Sequence, residues 1–169
     1  ATTIADAVAV ALSRSDGVIT TGGLGPTADD QTKPAIAALF GRALERHQPT
    51  VDALHSRWRT RGLPGELPAA NLQQAMIPVG ATVLENRHGT APGIWLANDA
   101  GRWVAMLPGV PREMRGMAQD ALLPRLAALV GDDPPVIRSH LLRTTGMPES
   151  RIADELSAVP LPPLVSLAY

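Results

Sequence analysis

The stretch Val18-Ile-Thr-Thr-Gly-Gly-Leu-Gly-Pro-Thr-Ala-Asp-Asp30 decides the fold expected for this chain of 169 residues. Its first four residues are apolar or β-branched without alternation, which is typical of a strand buried on both faces of a sheet. The glycines that follow permit a tight turn, and a helical pattern resumes near Thr32. A strand that leads through such a turn into a helix directs backbone N–H groups toward one point, where an anion can bind.

Helical and strand patterns alternate on both sides of this stretch. The expected elements are a helix over 4–14, strands at 18–21 and 81–84, a hairpin of 93–97 and 102–106, and a long helix that ends before Gly131. The alternation favours a three-layer α/β/α sandwich around a mostly parallel sheet. In such sheets ligands bind beyond the carboxyl ends of the strands, where the glycine- and proline-rich loops of this chain lie.

The clearest linker pattern divides the chain into two expected domains. It is Asp132-Asp-Pro-Pro135, which follows a first domain of residues 1–131. The remaining residues, 136–169, predict part of a small α+β domain. Its expected elements are a strand, a short helix and a further strand, at 136–143, 148–156 and 164–169.

Composition excludes several classes of function. Because the chain has no Cys, it is not a disulfide scaffold, a cysteine-ligated zinc finger, a thiol enzyme or an iron–sulfur protein. A net charge of −1 leaves no positive surplus for nucleic acid or an anionic membrane. The first residues form neither a basic segment nor a signal cleavage site, so a soluble protein of the cytoplasm is expected.

The first candidate site is the loop of residues 21–30, called the first loop below. Gly22, Gly23 and Gly25 allow the backbone to approach an anion closely. Asp29 and Asp30 would repel a phosphate unless a divalent cation such as Mg²⁺ or Mn²⁺ lay between them. The alternative is that one of these carboxylates caps the following helix while the other is solvated. The pattern is neither a P-loop nor a dinucleotide-binding fingerprint.

Two further loops contain candidate binding residues. In the second loop, residues 86–93, Asn86 and Thr90 could hydrogen-bond a base or a ribose, although an ordinary connecting loop has similar residues. In the third loop, residues 107–114, Gly109 allows close approach and Pro111 suits the first turn of a helix. Glu113 complements the helix dipole there. Arg112 and Arg115 could face a phosphate, but a solvated helix face is favoured for each.

The three loops follow one another along the chain, each with its own sequence block. They are Thr21-Gly-Gly-Leu-Gly-Pro-Thr-Ala-Asp-Asp-Gln-Thr32, Asn86 with Gly89-Thr-Ala-Pro-Gly93, and Leu107-Pro-Gly-Val-Pro-Arg-Glu-Met114, with Asn71-Leu-Gln-Gln-Ala75 before the second. Together they resemble the N-terminal, molybdopterin-binding-like domain of the competence/damage-inducible protein A (CinA) family. The resemblance covers about residues 1–130, and Thr145-Gly-Met-Pro-Glu-Ser150 resembles the start of the KH-like domain that follows in that family.

The resemblance implies an α/β/α fold of the MoaB/MogA type and metal-dependent hydrolysis of ADP-ribose to AMP and ribose 5-phosphate. It implies Asp29 and Asp30 as the catalytic and metal-binding residues, with Mg²⁺ or a similar divalent cation. It also implies a cytoplasmic homodimer. The residues that would hold the nucleotide are Thr21, Gly22, Gly23, Leu24, Gly25, Pro26, Thr27, Asn86, Gly89, Thr90, Ala91, Pro92, Gly93, Pro108, Gly109, Val110 and Pro111.

Two departures from the family pattern limit what the resemblance implies. Family members usually begin with a strand–helix–strand segment ahead of the helix at residue 4, and these residues do not include it. A nicotinamide-nucleotide amidase occupies a separate domain in many members, and nothing here resembles it. Two other functions stay open: a molybdopterin- or nucleotide-binding module without turnover, and an oligomerisation platform for another domain.

Overall fold

The computed structural model describes residues 2–131 and 136–168. The predicted linker, residues 132–135, lies outside the described residues. The chain divides into two compact units, Ala1–Asp133 and Pro134–Tyr169. No helix among the described residues is long and apolar enough to cross a membrane.

The first unit alternates helices with short strands. Its helices are α1 (Thr2–Leu12), α2 (Thr32–Leu39), α3 (Gln48–Thr60), a 3₁₀ helix (Ala69–Ala75), α4 (Pro111–Met117), a π-helical turn (Ala118–Leu122) and α5 (Leu123–Val130). Its strands are β1 (Gly17–Thr21), β2 (Leu44–Arg46), β3 (Met76–Pro78), β4 (Thr82–Leu84), β5 (Gly93–Ala97) and β6 (Trp103–Leu107). The expected helix over 4–14, both strands of the hairpin and the long helix ending before Gly131 are thereby confirmed.

The central sheet has four strands in the order β1-β6-β5-β4, and β2 pairs with β3 in a separate two-stranded sheet. In the central sheet β1 runs parallel to β6, with Thr21 opposite Leu107. Both strands therefore end at the same edge of the sheet. This register brings the first and third loops side by side, because each begins where its strand ends.

Helices cover both faces of this sheet. On one face, Ile94 and Leu96 of β5 and Val104 and Met106 of β6 pack with residues of α1 and α2. On the other face, Trp95, Ala105 and Leu107 pack with Met117 and Leu122, which belong to α4 and the π-helical turn. Consecutive residues of a strand point to opposite faces, so one hairpin contributes to both apolar layers. The three-layer α/β/α sandwich is confirmed.

The sheet is more antiparallel than the sequence predicts. Within residues 2–131, β1–β6 is the parallel pair, while β5–β6 and β4–β5 are antiparallel. The turn between β5 and β6 is only five residues long, and the loop between β4 and β5 has eight. Parallel neighbours need a crossover of about a dozen residues or more, so these short connections impose antiparallel pairing. The prediction of a mostly parallel sheet is therefore wrong for these strands.

The described residues of the second unit contain one helix, α6 (Glu149–Ser157), which confirms the helix expected near 148–156. Residues 136–143 and 164–168 form no strand in the structure, so the strand predictions there are wrong for the described residues. A strand needs a hydrogen-bonding partner and an apolar face to cover, and Ile137, Leu141 and Leu142 are 98%, 80% and 86% exposed. The KH-like domain itself stays a prediction.

Candidate functional site

The three candidate loops meet around one cavity of about 330 Å³, called the loop cavity below. Residues of the first, second and third loops all contribute to its wall, together with one residue of the 3₁₀ helix. The lining residues are Gly22, Gly23, Leu24, Gly25, Asp30, Gln74, Thr90, Ala91, Pro108, Gly109, Val110 and Glu113. A cavity of this size is in the range that holds small ligands.

Hydrogen bonds and a close backbone approach tie the first loop to the third. The backbone N–H of Gly22 donates to the carbonyl of Leu107 at 2.9 Å, and the Thr21 hydroxyl donates to the carbonyl of Pro108 at 2.9 Å. A Cβ atom on Gly109 would lie 3.1 Å from the Cα of Gly22. Gly22 and Gly23 have φ values of 90° and 71°, which side chains rarely permit. Bare backbone therefore forms this part of the wall.

The carboxylate of Asp30 closes the first loop on itself and also faces the cavity. Its Oδ2 accepts hydrogen bonds from the backbone N–H of Thr27 at 2.9 Å and from the Thr27 hydroxyl at 2.6 Å. Partial burial raises the pKa of Asp30, but these bonds, a backbone bond from Gly25 and the charge of Lys33 together bring it below its usual value. Asp30 is therefore ionised at neutral pH.

Asp29 occupies a different position from its neighbour. It is exposed and does not line the cavity. Neither carboxylate caps α2, because the residue at the N-cap is Gln31 and its side chain makes no capping bond. The structure thus separates the two acids that the sequence treats as a pair.

A metal site made only of protein side chains is absent from the described residues. No group of three or more His, Asp or Glu side chains is close enough together to hold an ion. The carboxylates that line the loop cavity are those of Asp30 and Glu113. Mg²⁺ is commonly held by one or two carboxylates together with substrate phosphates and water, and this donor set fits that mode.

A buried lysine lies beneath the first loop. Lys33 is 5% exposed, and its ammonium group donates to the backbone carbonyl of Gln73 in the 3₁₀ helix. Burial lowers the pKa of Lys33 from 10.5 to about 8, although the nearby charge of Asp30 opposes this shift. Lys33 thereby links α2 to the segment that contributes Gln74 to the cavity wall.

Gln74 and Glu113 are lining residues that the sequence reasoning did not assign to the site. Gln74 is 6% exposed, and its Oε1 atom is buried without a hydrogen-bond partner among the described residues. An unpartnered buried amide oxygen costs free energy and is uncommon in native structures. The block Asn71–Ala75, which contributes to the family resemblance, was the signal that could have identified Gln74.

The side chain of Asn86 holds the second loop in shape. It is 2% exposed, and its amide N–H groups donate to the carbonyl of Ala91 at 2.8 Å and to Oε2 of Glu113 at 2.7 Å. Its Oδ1 atom accepts from the backbone N–H of His88 at 2.9 Å. All of its polar atoms are used in these contacts, so Asn86 positions the loop and does not point a free amide at the loop cavity.

The loop cavity contains many of the predicted residues but not all of them. Those that line it are Gly22, Gly23, Leu24, Gly25, Asp30, Thr90, Ala91, Pro108, Gly109 and Val110. Asn86 and Pro92 instead line a smaller neighbouring cavity of about 170 Å³ beside α3. The other predicted residues that do not line the loop cavity are Thr21, Pro26, Thr27, Asp29, Gly89, Gly93 and Pro111.

Comparisons with known proteins agree with the fold. A family model described as "Probable molybdopterin binding domain" matches residues 1–128. The chain is 59% identical over 156 residues to a CinA-like protein of Gemmatimonas aurantiaca, and 46% identical over 157 residues to one of Frankia casuarinae. These alignments cover 92% and 91% of this chain and 36% of each relative. The chain thus spans about a third of the length of these curated relatives.

A solved structure shares the same fold. The crystal structure of the protein CinA from Thermoplasma acidophilum has a TM-score of 0.63 and 35% sequence identity. The match covers 72% of this chain and 69% of that one. The family model matches most of the length of this chain. The chain therefore belongs to the CinA-like proteins of the molybdopterin-binding-domain family.

Proposed function

We propose that the loop cavity binds a nucleotide with a diphosphate bridge, of the ADP-ribose type, and that the chain hydrolyses this bridge with a divalent cation. The observation that carries this proposal is the meeting of three loops around one cavity with the Asp30 carboxylate among bare glycine backbone. The products would be AMP and ribose 5-phosphate, since water adds to one phosphorus atom and the bond to the bridging oxygen breaks. The site would be that of a hydrolase.

The glycine wall supports the binding of phosphate. Gly22, Gly23, Gly25 and Gly109 present backbone without side chains, so phosphate oxygens can approach closely. The carboxylates of Asp30 and Glu113 on the same wall would repel a free diphosphate. This charge pattern favours a ligand that arrives with a divalent cation, and it distinguishes the site from a simple anion cradle.

The proposed roles of the residues follow from their contacts. Asp30 and Glu113 would hold the cation, which when bound would reduce the charge on the non-bridging phosphate oxygens. Asp30 is ionised at neutral pH and so can also orient a water molecule. Thr27 fixes one oxygen of this carboxylate, Oδ2. Asn86 keeps Glu113 and the second loop in position.

A binding module for molybdopterin or a nucleotide, without turnover, is the second candidate. It is favoured by one observation, the lack of three clustered metal-ligating side chains in the described part of the chain. The third possibility, a homodimer that acts as an assembly platform, is tested by measuring the mass in solution over a range of concentrations. The nicotinamide-nucleotide amidase of some family members is not proposed for these residues.

The test is a calorimetric titration of the chain with ADP-ribose, with and without Mg²⁺, followed by chromatography of the products. Asp30→Asn and Asp29→Asn form a matched pair, because the two residues are adjacent and only Asp30 lines the cavity. We expect Mg²⁺-dependent binding, release of AMP, and loss of turnover by at least about a hundredfold in Asp30→Asn alone.

Other outcomes separate the candidates. Binding without products would support the module and overturn the hydrolase. Equal loss of turnover in both variants would contradict the role assigned to Asp30. If ADP-ribose does not bind at all, the hydrolase and a module for this nucleotide both fail, and a molybdopterin-binding module and the assembly platform are left.

A further inference from the structure

A third cavity, of about 340 Å³, is lined by four arginines. It is called the arginine cavity below. Arg57 and Arg61 come from the end of α3, Arg87 from the second loop and Arg112 from α4. His88, Gly89 and Thr60 complete the wall, and none of these residues lines the loop cavity. Three separate parts of the chain thus place guanidinium groups around one space.

Hydrogen bonds hold two walls of this cavity in place. Arg57 is half-buried, and its guanidinium donates to the carbonyl of Gly89 at 2.6 Å and also to the carbonyl of Asn86. The ring Nε2 of His88 is 2.8 Å from the carboxylate of Asp120. The second loop is therefore tied to α3 on one side and to the π-helical turn on the other. Arg57 positions the loop, which leaves Arg61, Arg87 and Arg112 to face a ligand.

The positive charge of this cavity is only partly balanced by protein carboxylates. Arg87 is 3.3 Å from Glu85, and both side chains are exposed. Within the part of the chain that the structure describes, Arg57, Arg61 and Arg112 form no ion pair. Because the whole chain has a net charge of −1, this local surplus of positive charge comes from the positions of the arginines and not from the overall composition. Guanidinium groups held around one space repel each other unless an anion lies between them.

We propose that the arginine cavity is an oxyanion site that takes a phosphate group. Planar guanidinium groups bind phosphate oxygens in pairs of parallel hydrogen bonds, and groups on three different elements can surround a tetrahedral anion. The cavity has room for a small organic group attached to that phosphate. The site does not depend on the hydrolysis proposed above, because the two cavities share no residue.

The helices offer a matched control for each arginine. Arg59 lies beside Arg61 at the end of α3, and Arg115 lies on α4 near Arg112; both are exposed and neither lines the cavity. Substituting any of these four by Gln removes one surface charge. Because the side chains of Arg61 and Arg112 are exposed and make no hydrogen bond among the described residues, the fold should tolerate their replacement. Arg57 is left intact because it holds the second loop.

The experiment is an NMR titration of the ¹⁵N-labelled chain with orthophosphate and, separately, with ribose 5-phosphate, at constant ionic strength. We expect saturable shifts at the amides of Arg61, Gly89 and Arg112. Arg61→Gln and Arg112→Gln should each weaken binding about tenfold or more, whereas Arg59→Gln and Arg115→Gln should change it less than about twofold. Asp30→Asn, which alters the loop cavity, should leave these shifts unchanged.

The two probes distinguish the source of the phosphate. Equal affinities would assign the site to the free anion, and tighter binding of ribose 5-phosphate would assign it to a phosphate ester. The proposal is overturned if the shifts do not saturate, or if the control variants weaken binding as much as the cavity variants. Failure of ADP-ribose hydrolysis would leave it intact, because the readout here is binding at a different set of residues.

Discussion

The side-chain amide of Asn86 donates a hydrogen bond to the carboxylate of Glu113 at 2.7 Å. This bond joins the second loop to the first turn of α4, although the two residues are far apart in the chain. Asn86 also holds its own loop through Ala91 and His88. One buried amide therefore sets the spacing between two walls of the loop cavity, and it also shapes the loop whose residues 87–89 line the arginine cavity.

Replacing Asn86 by Ala should destabilise the fold. The change leaves the backbone N–H of His88, the carbonyl of Ala91 and one oxygen of Glu113 without this partner in a partly buried place. We expect the free energy of unfolding in urea to fall by about 2–3 kcal/mol, from the cost of unpaired buried polar groups. Gln119→Ala, on the exposed surface of the π-helical turn, is the control and should change it by less than about 0.5 kcal/mol. A loss as small as that of the control would contradict the positioning role.

Replacing Gly89 by Ala should disturb the hydrogen bond between Asn86 and Glu113 by displacing the carboxylate. A Cβ atom on Gly89 would lie 1.8 Å from the carboxyl carbon of Glu113, which is far inside van der Waals contact. The carboxylate ends a flexible side chain and can move, but it must then leave Asn86, so we expect a loss of about 1–3 kcal/mol in the free energy of unfolding.

A double-mutant cycle tests this explanation for Gly89. Glu113→Ala removes the clashing group, so the double variant should be more stable than Gly89→Ala alone. Additive losses in the cycle would show that the Gly89 position is constrained by something other than Glu113.

The parts of the molecule that could be predicted from the sequence are those with local signals. Asn98-Asp-Ala-Gly101 predicts a turn between two strands of matching length, and the structure has that hairpin. The glycines of the first loop predict a tight turn with exposed backbone, and Gly22 and Gly23 have the positive φ values that such a turn requires. Each of these signals lies within a few residues of the feature it specifies, so neighbours along the chain suffice.

Contacts between distant residues could not be predicted in the same way. No local pattern assigns a role to Lys33, because its partner, the carbonyl of Gln73, is 40 residues away. Asp29 and Asp30 have the same chemistry and adjacent positions, and only the fold of the first loop turns one toward the cavity. The alternation at 136–143 predicts a strand, but forming one depends on a partner strand that no local pattern identifies.

The ionisation of Lys33 should appear in the pH dependence of stability. Its pKa is about 8 in the folded chain and 10.5 in the unfolded chain, so between these values the unfolded chain binds more protons. Stability contributed by this group must therefore rise with pH in that window. The difference of 2.5 pKa units corresponds to about 3 kcal/mol. We expect wild type to gain roughly this amount relative to Lys33→Met between pH 7.5 and 10.5.

The comparison with Lys33→Met removes the contribution of every other titrating group. Methionine has a similar length and carries no charge, so it is the matched control for burial at this position. The measurement is urea unfolding of both proteins at several pH values across the window. Parallel stability curves would contradict a buried lysine that loses its proton in the folded state.

Gly22 and Gly109 lie against each other in the wall of the loop cavity, and the same substitution should have different effects at the two positions. Gly22 has a φ of 90°, so the backbone of an Ala there is strained even if its side chain has room. We therefore expect a loss of about 1–2 kcal/mol in the free energy of unfolding. Gly109 has no such φ, is exposed, and its added Cβ would lie 3.1 Å from the Cα of Gly22. Gly109→Ala should change stability by less than about 1 kcal/mol, and its Cβ should displace the first loop slightly from the third.

Binding to the loop cavity should therefore weaken in Gly109→Ala even though its fold is nearly as stable as wild type. The measurements are urea unfolding of both variants and calorimetric titration of Gly109→Ala with ADP-ribose and Mg²⁺. Wild-type affinity in Gly109→Ala would mean that binding does not depend on the close approach of the first and third loops at these two glycines. Equal losses of stability in the two variants would instead mean that contact, not backbone conformation, limits Gly22.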